Sequence, residues 1–300
     1  MGTREQFIYL RERITDEIFG AFGMKKNGTM RKLFGWLFRL PTSRFARMFA
    51  AADDATAVGG LGAGCKVIVD FLTVQVKAKG VDNLDVDGPL MILSNHPGAY
   101  DSVAIGSQVA RKDFRIVAGE IPLYFALEHV SPLLIYAPVA SDTAGRMVTL
   151  RNAIEHLRKG GSLLHFGAGT IEPDPAVQPG AVDWLSRWSP SVEIMLRKAD
   201  KTRVVLVVAS GVLLKRFFQS PLTRLRKQPV AKRRVAEFVQ IISQLAFPGS
   251  VKAEMSLTFA PPVSVDELTR EANGGRLMPA LIQRERNLLS QQAEAEGLLL

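Results

Sequence analysis

The clearest candidate for chemistry in this sequence is a histidine followed five residues later by an aspartate, His96 and Asp101. A carboxylate bonded to one ring nitrogen fixes the imidazole tautomer and stabilises the imidazolium that forms when the other nitrogen takes a proton. Pro97 and Gly98 predict a tight turn that lets the carboxylate reach the ring. The pair therefore predicts a general base that activates a hydroxyl for attack on a carbonyl, without a serine nucleophile or a metal. A loop histidine beside a helix-capping aspartate has the same spacing, so the context must decide.

The residues around this pair predict where it lies. The segment Met91–Ser102 reads MILSNHPGAYDS, in which an apolar strand runs into the turn and a helix begins near Asp101. His96 would then follow the carboxyl end of a strand, which is the edge at which open α/β sheets bind their ligands.

The wider pattern predicts an α/β fold with a mostly parallel central sheet flanked by helices. Helical patterns lie between short β-rich or apolar runs, and the clearest is Met147–Leu157, which Gly160 ends. The runs predicted as strands are Thr73–Val76, Leu90–Leu93, Phe114–Ala118, Leu133–Tyr136, Ser162–Phe166, Arg203–Ala209 and Ala253–Phe259. A helix before the last strand and a polar helix from Leu277 complete a domain predicted to span residues 72–300.

Residues 1–71 are predicted to form a separate N-terminal helical region. Its apolar residues recur at helical spacing in two helices divided by Pro41: Leu33, Trp36, Leu37 and Leu40, then Phe45, Met48 and Phe49. Basic residues crowd the same stretch: Lys25, Lys26, Arg31, Lys32, Arg39, Arg44 and Arg47. An apolar stripe beside a basic face fits a helix lying in an anionic membrane interface. It fits equally a helical pair packed on the domain with a solvated basic face.

Composition and charge restrict the possible partners. With 47% apolar and 22% charged residues in 300, the chain is typical of a globular protein. The net charge of +9 fits either a partner that carries phosphate or a solvated basic surface. The single cysteine, Cys65, excludes an intrachain disulfide, and no zinc-type spacing is present, so no metal is expected. Because no signal peptide or spanning apolar stretch is evident, we expect a cytoplasmic protein that associates peripherally with a membrane.

The segment holding His96 and Asp101 resembles the N-H-x4-D signature block of the glycerol-phosphate and lysophospholipid acyltransferase superfamily. The preceding stretch, Val74–Asn95, is similar to that family's strand, G-x-x-N-L segment and Gly-Pro turn. In that family the histidine deprotonates the acceptor hydroxyl and the aspartate supports it. The resemblance implies these roles for His96 and Asp101, and it extends more loosely from Val74 to Gly211.

The family's third block, F-P-E-G-T-R, helps to hold an acceptor phosphate and corresponds here to Phe166–Ile171. The resemblance implies substrate contacts for four residues of this block, Phe166, Gly167, Gly169 and Thr170. The family's second block usually ends in an arginine that is not evident here, and Arg146 is the candidate to replace it. Because Ile171 cannot offer the bidentate bonds of the family's arginine, a simple phosphate acceptor is in doubt. Glu172 and Asp174 follow, and they are expected to be ordinary loop carboxylates rather than ligands of a hydroxylated or cationic acceptor.

The family's fourth block corresponds to Val204–Gly211. A dense basic cluster follows it, which could bind lipid head groups or the phosphates of coenzyme A, or form a solvated face. Its members are Lys215, Arg216, Arg224, Arg226, Lys227, Lys232, Arg233 and Arg234. Neither an aromatic-interleaved basic strand nor a recognition-helix pattern accompanies it, so a nucleic-acid partner is not expected.

Together, the residues and the resemblance predict an O-acyltransferase. It would move an acyl group from acyl-coenzyme A or acyl carrier protein to a glycerolipid or lysophospholipid-like acceptor at an anionic membrane surface, without a cofactor. The alternative is a catalytically weak relative that binds lipid, and a soluble nucleic-acid-binding protein is the third hypothesis. The sequence predicts neither the acyl chain nor the oligomeric state.

Overall fold

A computed structural model of the chain describes residues 8–15, 39–138, 142–225 and 229–300. Its centre is an eight-stranded sheet with the strand order β1-β7-β6-β2-β5-β3-β4, and β8 pairs with β6. The strands are β1 (Val74–Lys79), β2 (Leu90–Ser94), β3 (Arg115–Gly119), β4 (Leu134–Ala137), β5 (Ser162–Phe166), β6 (Arg203–Ser210), β7 (Ala253–Phe259) and β8 (Val263–Ser264).

Helices cover both faces of this sheet. Residues 8–15 are helical. The helices that follow are α1 (Arg39–Gly59), α2 (Leu61–Phe71), α3 (Asp101–Gly106), α4 (Thr143–Arg158), α5 (Ala181–Trp184), α6 (Ser191–Lys198), α7 (Lys215–Phe218), α8 (Pro229–Ala246), α9 (Val265–Glu271) and α10 (Leu277–Glu296). Short 3-10 turns occur at Val81–Leu84, Tyr124–Ala126, Ser131–Leu133, Leu185–Arg187 and Pro221–Leu225.

The predicted α/β class is confirmed. Strands β2 to β6 run in one direction, through the parallel pairs β2–β5, β2–β6, β3–β5 and β3–β4. The antiparallel strand β7 turns the far edge of the sheet, and β1 runs parallel to it. Each predicted strand is present with ends shifted by no more than three residues. The carboxyl ends of β2 to β6 therefore lie at one edge, where their loops meet.

Strand β2 lies at the centre of the molecule and is buried on both faces. Leu90 and Ile92 belong to the apolar core under α1, α2, α3 and α8, whereas Met91 and Leu93 belong to the core under α4, α6, α9 and α10. A parallel strand covered on both sides needs a continuous apolar run, which explains why this segment does not alternate. The position of β2 fixes where the chain emerges at the loop that carries His96.

The N-terminal region differs in detail from its prediction. Pro41, expected to end a helix, lies within α1, so that boundary is wrong. Phe45 and Phe49 contact each other edge to face with ring centroids 4.9 Å apart and pack on the core, and Met48 is fully buried there. Of the two alternatives for this helix, packing on the domain is therefore the one observed for residues 45–49.

The rest of the predicted interfacial stretch, residues 25–38, lies outside the described residues. Side chains of residues 8–15, α1 and α2 contribute to the same core as the sheet, and the domain boundary after residue 71 stays a prediction. Among the described helices, none combines the length and the hydropathy needed to cross a bilayer.

Candidate active site

His96 and Asp101 are in direct contact at the carboxyl edge of the sheet. His96 Nδ1 lies 2.7 Å from Asp101 Oδ2, and the imidazole is 22% exposed while the carboxylate is fully buried. Within the described part of the chain, Nε2 of His96 makes no hydrogen bond. The contact places a proton acceptor, supported from behind by a carboxylate, where a substrate can reach it.

Backbone groups of the turn hold Asp101 in place. Its Oδ2 also accepts a hydrogen bond from Gly98 N at 3.1 Å, and its Oδ1 accepts one from Ser102 N at 2.6 Å. Asp101 is the first residue of α3, as the sequence predicts. These bonds leave the carboxylate little freedom, so the orientation of the imidazole is set by the turn rather than by a flexible pair.

Asn95 anchors the start of this turn to the neighbouring strand. Its Nδ2 donates to Ala209 O at 2.9 Å, and its Oδ1 accepts from Ala209 N at 2.8 Å. The pairing of β2 with β6 ends at Ser94 and Val207. The Asn95 side chain then satisfies the backbone N–H and C=O of Ala209, two residues farther along β6. His96 therefore begins from a fixed backbone point.

Phe166 supports the imidazole from one side. The two rings are stacked with centroids 4.1 Å apart and planes 19° apart. Gly167 follows and donates its N–H to Ser94 O at 3.0 Å, which ties the loop after β5 to the end of β2. A Cβ atom on Gly167 would overlap the Trp188 ring, so this position requires glycine. Of the four third-block residues predicted to bind substrate, Phe166 therefore packs on His96 and Gly167 lies at the end of the strand that carries it.

The remaining predicted substrate residues make no hydrogen bond or ring contact with the pair among those described. Gly169 and Thr170 are exposed in the loop after β5, and Gly169 has the positive φ of 64° that favours glycine. Arg146 is exposed in the first turn of α4, and it makes no described contact with His96 or Asp101. Strand β4, which precedes α4 in the chain, is three strands away from β2, about 14 Å in the sheet. The roles of Arg146, Gly169 and Thr170 stay predictions.

Two buried glutamates near His96 were not predicted as site residues. Glu172 is 1% exposed, and its backbone N–H donates to His96 O at 2.6 Å. Glu237, on α8, is 5% exposed, and its Oε1 would be 3.0 Å from a Cβ atom on Gly98. Glu237 Oε1 is buried without a hydrogen-bond partner in the described chain, whereas the Glu172 carboxyl group lies against the indole of Trp188 and the backbone of His96 and Ala168. The expectation that Glu172 is an ordinary loop carboxylate is therefore wrong.

Burial dominates the electrostatics of both glutamates. It raises the pKa of Glu172 to about 7, although the nearby Trp188 indole and the charge of His96 act to lower it. It raises the pKa of Glu237 to about 8, with the Asp101 charge acting in the same direction. Removing a carboxylate from water disfavours its charged form. Hydrogen bonds from Trp188 and from the backbone of His96 and Ala168 offset part of that cost at Glu172.

These carboxylates in turn affect the base. Burial acts to lower the pKa of His96, but the charge and hydrogen bond of Asp101, followed by the charges of Glu237 and Glu172, outweigh it and raise the pKa above 6.5. The protonated imidazole is stabilised, so the base suits a reaction in which it carries a proton briefly and returns it.

Asp174 has a structural role. It is fully buried and accepts hydrogen bonds from Gly211 N and Leu213 N, each at 3.0 Å, and from Ala176 N. The expectation that Asp174 is an ordinary loop carboxylate is wrong, because its buried carboxylate joins the loop after β5 to the end of β6. Since its oxygens are occupied, it is not a candidate ligand for an acceptor.

Arg233 is a further correction to the sequence analysis. It was grouped with a basic cluster expected to meet phosphates or solvent, but it is 5% exposed and points inward from α8. Its Nη1 donates to the backbone carbonyl of Glu172. Lys215, Arg216 and Arg234 are exposed, whereas Arg226 and Lys227 and the side chain of Arg224 lie outside the described residues.

A polar stripe on α8 is the sequence signal that could have identified Glu237. Arg233, Glu237, Gln240 and Gln244 recur at helical spacing and are all at most 5% exposed. Gln240 bonds to Val212 O and Leu214 N, and Gln244 donates to Leu72 O. The apolar residues of the same helix share the burial with this stripe: Val235 and Leu245 are buried, and Phe238, Val239 and Ile242 are half-buried. A polar residue at i, i+4, i+7 and i+11 indicates a helix face that binds other polar groups.

A second His–Asp contact occurs elsewhere and offers a natural comparison. His129 Nδ1 lies 3.1 Å from Asp53 Oδ2, but Asp53 also accepts the backbone N–H groups of His129 and Val130. This pair joins α1 to the loop before β4, and no other buried carboxyl group is described beside it. A His–Asp contact is therefore insufficient by itself to indicate a base, and the surroundings of His96 distinguish it.

Comparisons with known proteins found similar solved structures. No protein-family model matches the chain, and no curated protein matches it. Among solved structures, it is similar to the crystal structure of the 1-acyl-sn-glycerophosphate (LPA) acyltransferase PlsC from Thermotoga maritima. The identity is 14% and the TM-score 0.46, over 95% of this chain and 93% of that one. A TM-score of 0.46 is too low for this likeness to carry a conclusion about activity.

Proposed function

We propose that this protein is an O-acyltransferase that moves an acyl group from a thioester to the hydroxyl of a lipid-like acceptor. The observation that carries the proposal is the 2.7 Å contact between His96 Nδ1 and buried Asp101, at the carboxyl edge of a parallel sheet, with Nε2 unbonded within the described residues. The resemblance of the surrounding segment to the N-H-x4-D block of glycerolipid acyltransferases supports the same chemistry.

In the proposed reaction, His96 Nε2 takes the proton of the acceptor hydroxyl as its oxygen attacks the thioester carbonyl carbon. The tetrahedral intermediate collapses with cleavage of the carbon–sulfur bond. The leaving thiolate takes the proton from the imidazolium, so the products are an ester and a free thiol. Asp101 stabilises the imidazolium between the two proton transfers.

Backbone amides after β5 are candidates for stabilising the oxyanion of this intermediate. Gly167 N and Gly169 N are not available, because they donate to Ser94 O and Phe166 O. The amide of Ala168 is also engaged, because it hydrogen-bonds to the Glu172 carboxyl group and lowers its pKa. Within the described chain, the amide of Thr170 makes no backbone hydrogen bond, and it is the donor that we propose for the developing charge.

A thiol-release assay tests the proposal with oleoyl-coenzyme A or oleoyl-acyl carrier protein as donor and a panel of lipid hydroxyl acceptors. His96→Ala should reduce acceptor-dependent turnover by about 100-fold or more, the usual contribution of a general base. His129→Ala is the matched control, because it removes the other imidazole that contacts a buried aspartate. Turnover unchanged by His96→Ala would refute the mechanism and favour a lipid-binding relative of low activity.

We also propose that the protein works peripherally at an anionic membrane surface. Leu40 and Phe247 are 54% and 68% exposed. They lie near each other because Arg44, one turn after Leu40, donates to the carbonyls of Leu245 and Ala246. Exposed apolar side chains beside basic residues suit insertion at a lipid head-group boundary.

Vesicle co-sedimentation tests this placement. The double variant Leu40→Ser/Phe247→Ser should bind anionic vesicles about 100-fold more weakly or worse, because burying each of the two apolar side chains contributes roughly 1.5–3 kcal/mol and about 1.4 kcal/mol corresponds to a factor of ten. Val58→Ser is the control, since Val58 is 80% exposed at the opposite end of α1. Equal binding by all three proteins would show that this surface does not meet the membrane.

A further inference from the structure

A cavity lined by cations lies at the carboxyl edge of the sheet, outside the site of acyl transfer proposed at His96. Its volume is about 460 Å³, within the range of small-molecule binding sites. The lining combines the start of α7 with the loop before β7 and consists of Leu214, Lys215, Arg216, Ser250 and Lys252. The three charged residues in this lining are all cations, so the cavity favours an anion.

The pairing of β6 with β7 fixes the position of this cavity. The two strands are antiparallel, and Ser210 at the carboxyl end of β6 lies opposite Ser256. Residues 250–252 precede β7, so they extend past the end of β6 to the level at which α7 begins. The cavity is therefore at the same edge of the sheet as His96. Only the folded chain brings Lys252 beside the basic residues of α7.

A short segment after β6 joins the cavity to the turn that follows His96. Tyr100 Oη donates a hydrogen bond to Val212 O, and a Cβ atom on Gly98 would overlap the Val212 side chain. Leu214, which lines the cavity, is two residues farther along the chain, a span of at most about 7 Å. A group bound in the cavity would thus lie near the turn that carries the proposed base, in a separate site.

The cations of this cavity have no acidic partner among the described residues. Lys215, Arg216 and Lys252 are exposed and take part in none of the described ion pairs. The carboxylate nearest to Lys252 in the sequence, Glu254, is paired with Lys77 of β1 at 2.6 Å. Like charges that converge without a counter-ion repel one another, and a bound anion would remove that repulsion.

The charge and the types of these residues fit a phosphate better than a carboxylate. The Arg216 guanidinium lies over the Phe217 ring, 5.0 Å from its centroid, a contact that favours one orientation of the side chain. A guanidinium can form bidentate bonds with phosphate, and lysine binds phosphate as a point charge. A carboxylate carries one negative charge, whereas a phosphomonoester carries about −1.5 to −2 near neutral pH and offsets more of the positive charge.

We propose that this cavity binds a phosphate group through Lys215, Arg216 and Lys252. Two phosphate compounds fit its surroundings. Coenzyme A would bring its phosphates near the proposed base. An anionic phospholipid would bring its head group there from the proposed membrane surface, because Ser250 donates to the carbonyl of exposed Phe247 at 2.6 Å. The phosphate site does not depend on the proposed acyl transfer, and only its use by the acyl donor rests on that proposal.

Isothermal titration calorimetry with inorganic pyrophosphate tests the site. The wild-type protein should bind pyrophosphate, and the affinity should fall as the salt concentration rises, because exposed charges are screened. The Lys215→Gln/Lys252→Gln variant should bind about 10-fold more weakly, the scale of two exposed ion pairs. Because both side chains are exposed, these substitutions are expected to leave the fold intact.

Lys198→Gln/Lys201→Gln is the matched control. It removes the same charge from exposed positions just before β6, at the opposite edge of the sheet. Pyrophosphate should bind to this variant within about 2-fold of the wild-type affinity, because screening limits the reach of exposed charges.

Two further titrations distinguish the sources of phosphate. Coenzyme A is compared with pantetheine, which lacks the phosphates. Vesicles of equal parts phosphatidylglycerol and phosphatidylcholine are compared with vesicles of phosphatidylcholine alone. Weaker binding of coenzyme A by Lys215→Gln/Lys252→Gln, with pantetheine unaffected, assigns the site to the donor. Weaker binding of the phosphatidylglycerol vesicles, with phosphatidylcholine vesicles unaffected, assigns it to a lipid head group, and either assignment supports the inference.

Two results would overturn the inference. One is the absence of pyrophosphate binding to the wild-type protein. The other is an equal loss of affinity in the two double variants, which would indicate general surface charge rather than a site. Failure of the proposed acyl transfer is recognised separately, because turnover would then be absent or insensitive to His96→Ala, and the binding measurements would be unaffected.

Discussion

Replacing Glu237 with glutamine should stabilise the protein relative to wild type, and the difference in the free energy of unfolding should grow as the pH rises. The carboxyl group is buried on α8, and burial raises its pKa from 4.5 to about 8. A raised folded-state pKa means that the native state holds this proton more tightly than the unfolded chain does. Its contribution to stability is therefore complete below about pH 4.5 and is lost as the pH rises through about 8. Glutamine keeps the volume of the side chain but cannot ionise.

The size of the effect follows from the difference between the folded and unfolded pKa values. Each pH unit between them is worth about 1.4 kcal/mol, so 3.5 units give a limiting difference of about 5 kcal/mol. Applying the linkage relation over a practical range, the free energy of unfolding of Glu237→Gln relative to wild type should rise by about 4 kcal/mol from about pH 5 to about pH 9.

Equilibrium unfolding in urea measures this difference, with the fluorescence of buried Trp188 as the probe. Glu193→Gln is the control, because the bond from Arg197 outweighs burial and lowers the pKa of Glu193. Its stabilising contribution is present above about pH 4.5, so this variant should differ from wild type by a constant amount between about pH 5 and pH 9. A Glu237→Gln difference that is equally constant would refute the argument that this carboxyl group is desolvated and unpaired.

Three further predictions concern the residues around the base. Because the base must be unprotonated, kcat/KM should fall as the pH is lowered, with a midpoint above 6.5. Asp101→Asn removes the group that raises the pKa of His96, so it should move that midpoint to lower pH. The same variant should reduce kcat by about 10²–10⁴-fold. A pH–rate profile of both proteins checks this, and an unmoved midpoint would contradict it. Gly167→Ala should destabilise the protein by about 1–3 kcal/mol in urea unfolding, because the new methyl group overlaps Trp188, whereas an unaffected variant would mean that the loop moves freely. Arg233→Met should cost about 2–3 kcal/mol at neutral pH, because it removes a buried hydrogen bond to a loop carbonyl, and a more stable variant would refute that role.

Local patterns were sufficient to predict the elements that position the site. The apolar run at Leu90–Leu93, the turn residues Pro97 and Gly98, and the helix start at Asp101 are all confirmed, because each depends on interactions between residues close in the chain. The alternation of strands and helices likewise predicted the parallel sheet and hence the edge at which His96 lies. Pro41 was placed wrongly because a proline in the first helical turn costs no hydrogen bond, so it does not have to end a helix.

The sequence by itself therefore determined the strand–turn–helix that holds His96 against Asp101, since a six-residue segment and two backbone N–H groups suffice to build the contact. Only the tertiary structure decided what surrounds that pair. Glu237 reaches the turn from α8, about 140 positions later in the chain, and Glu172 is buried because the loop after β5 folds back over His96. Burial is a property of the folded chain, so no local spacing could have identified these carboxyl groups as desolvated.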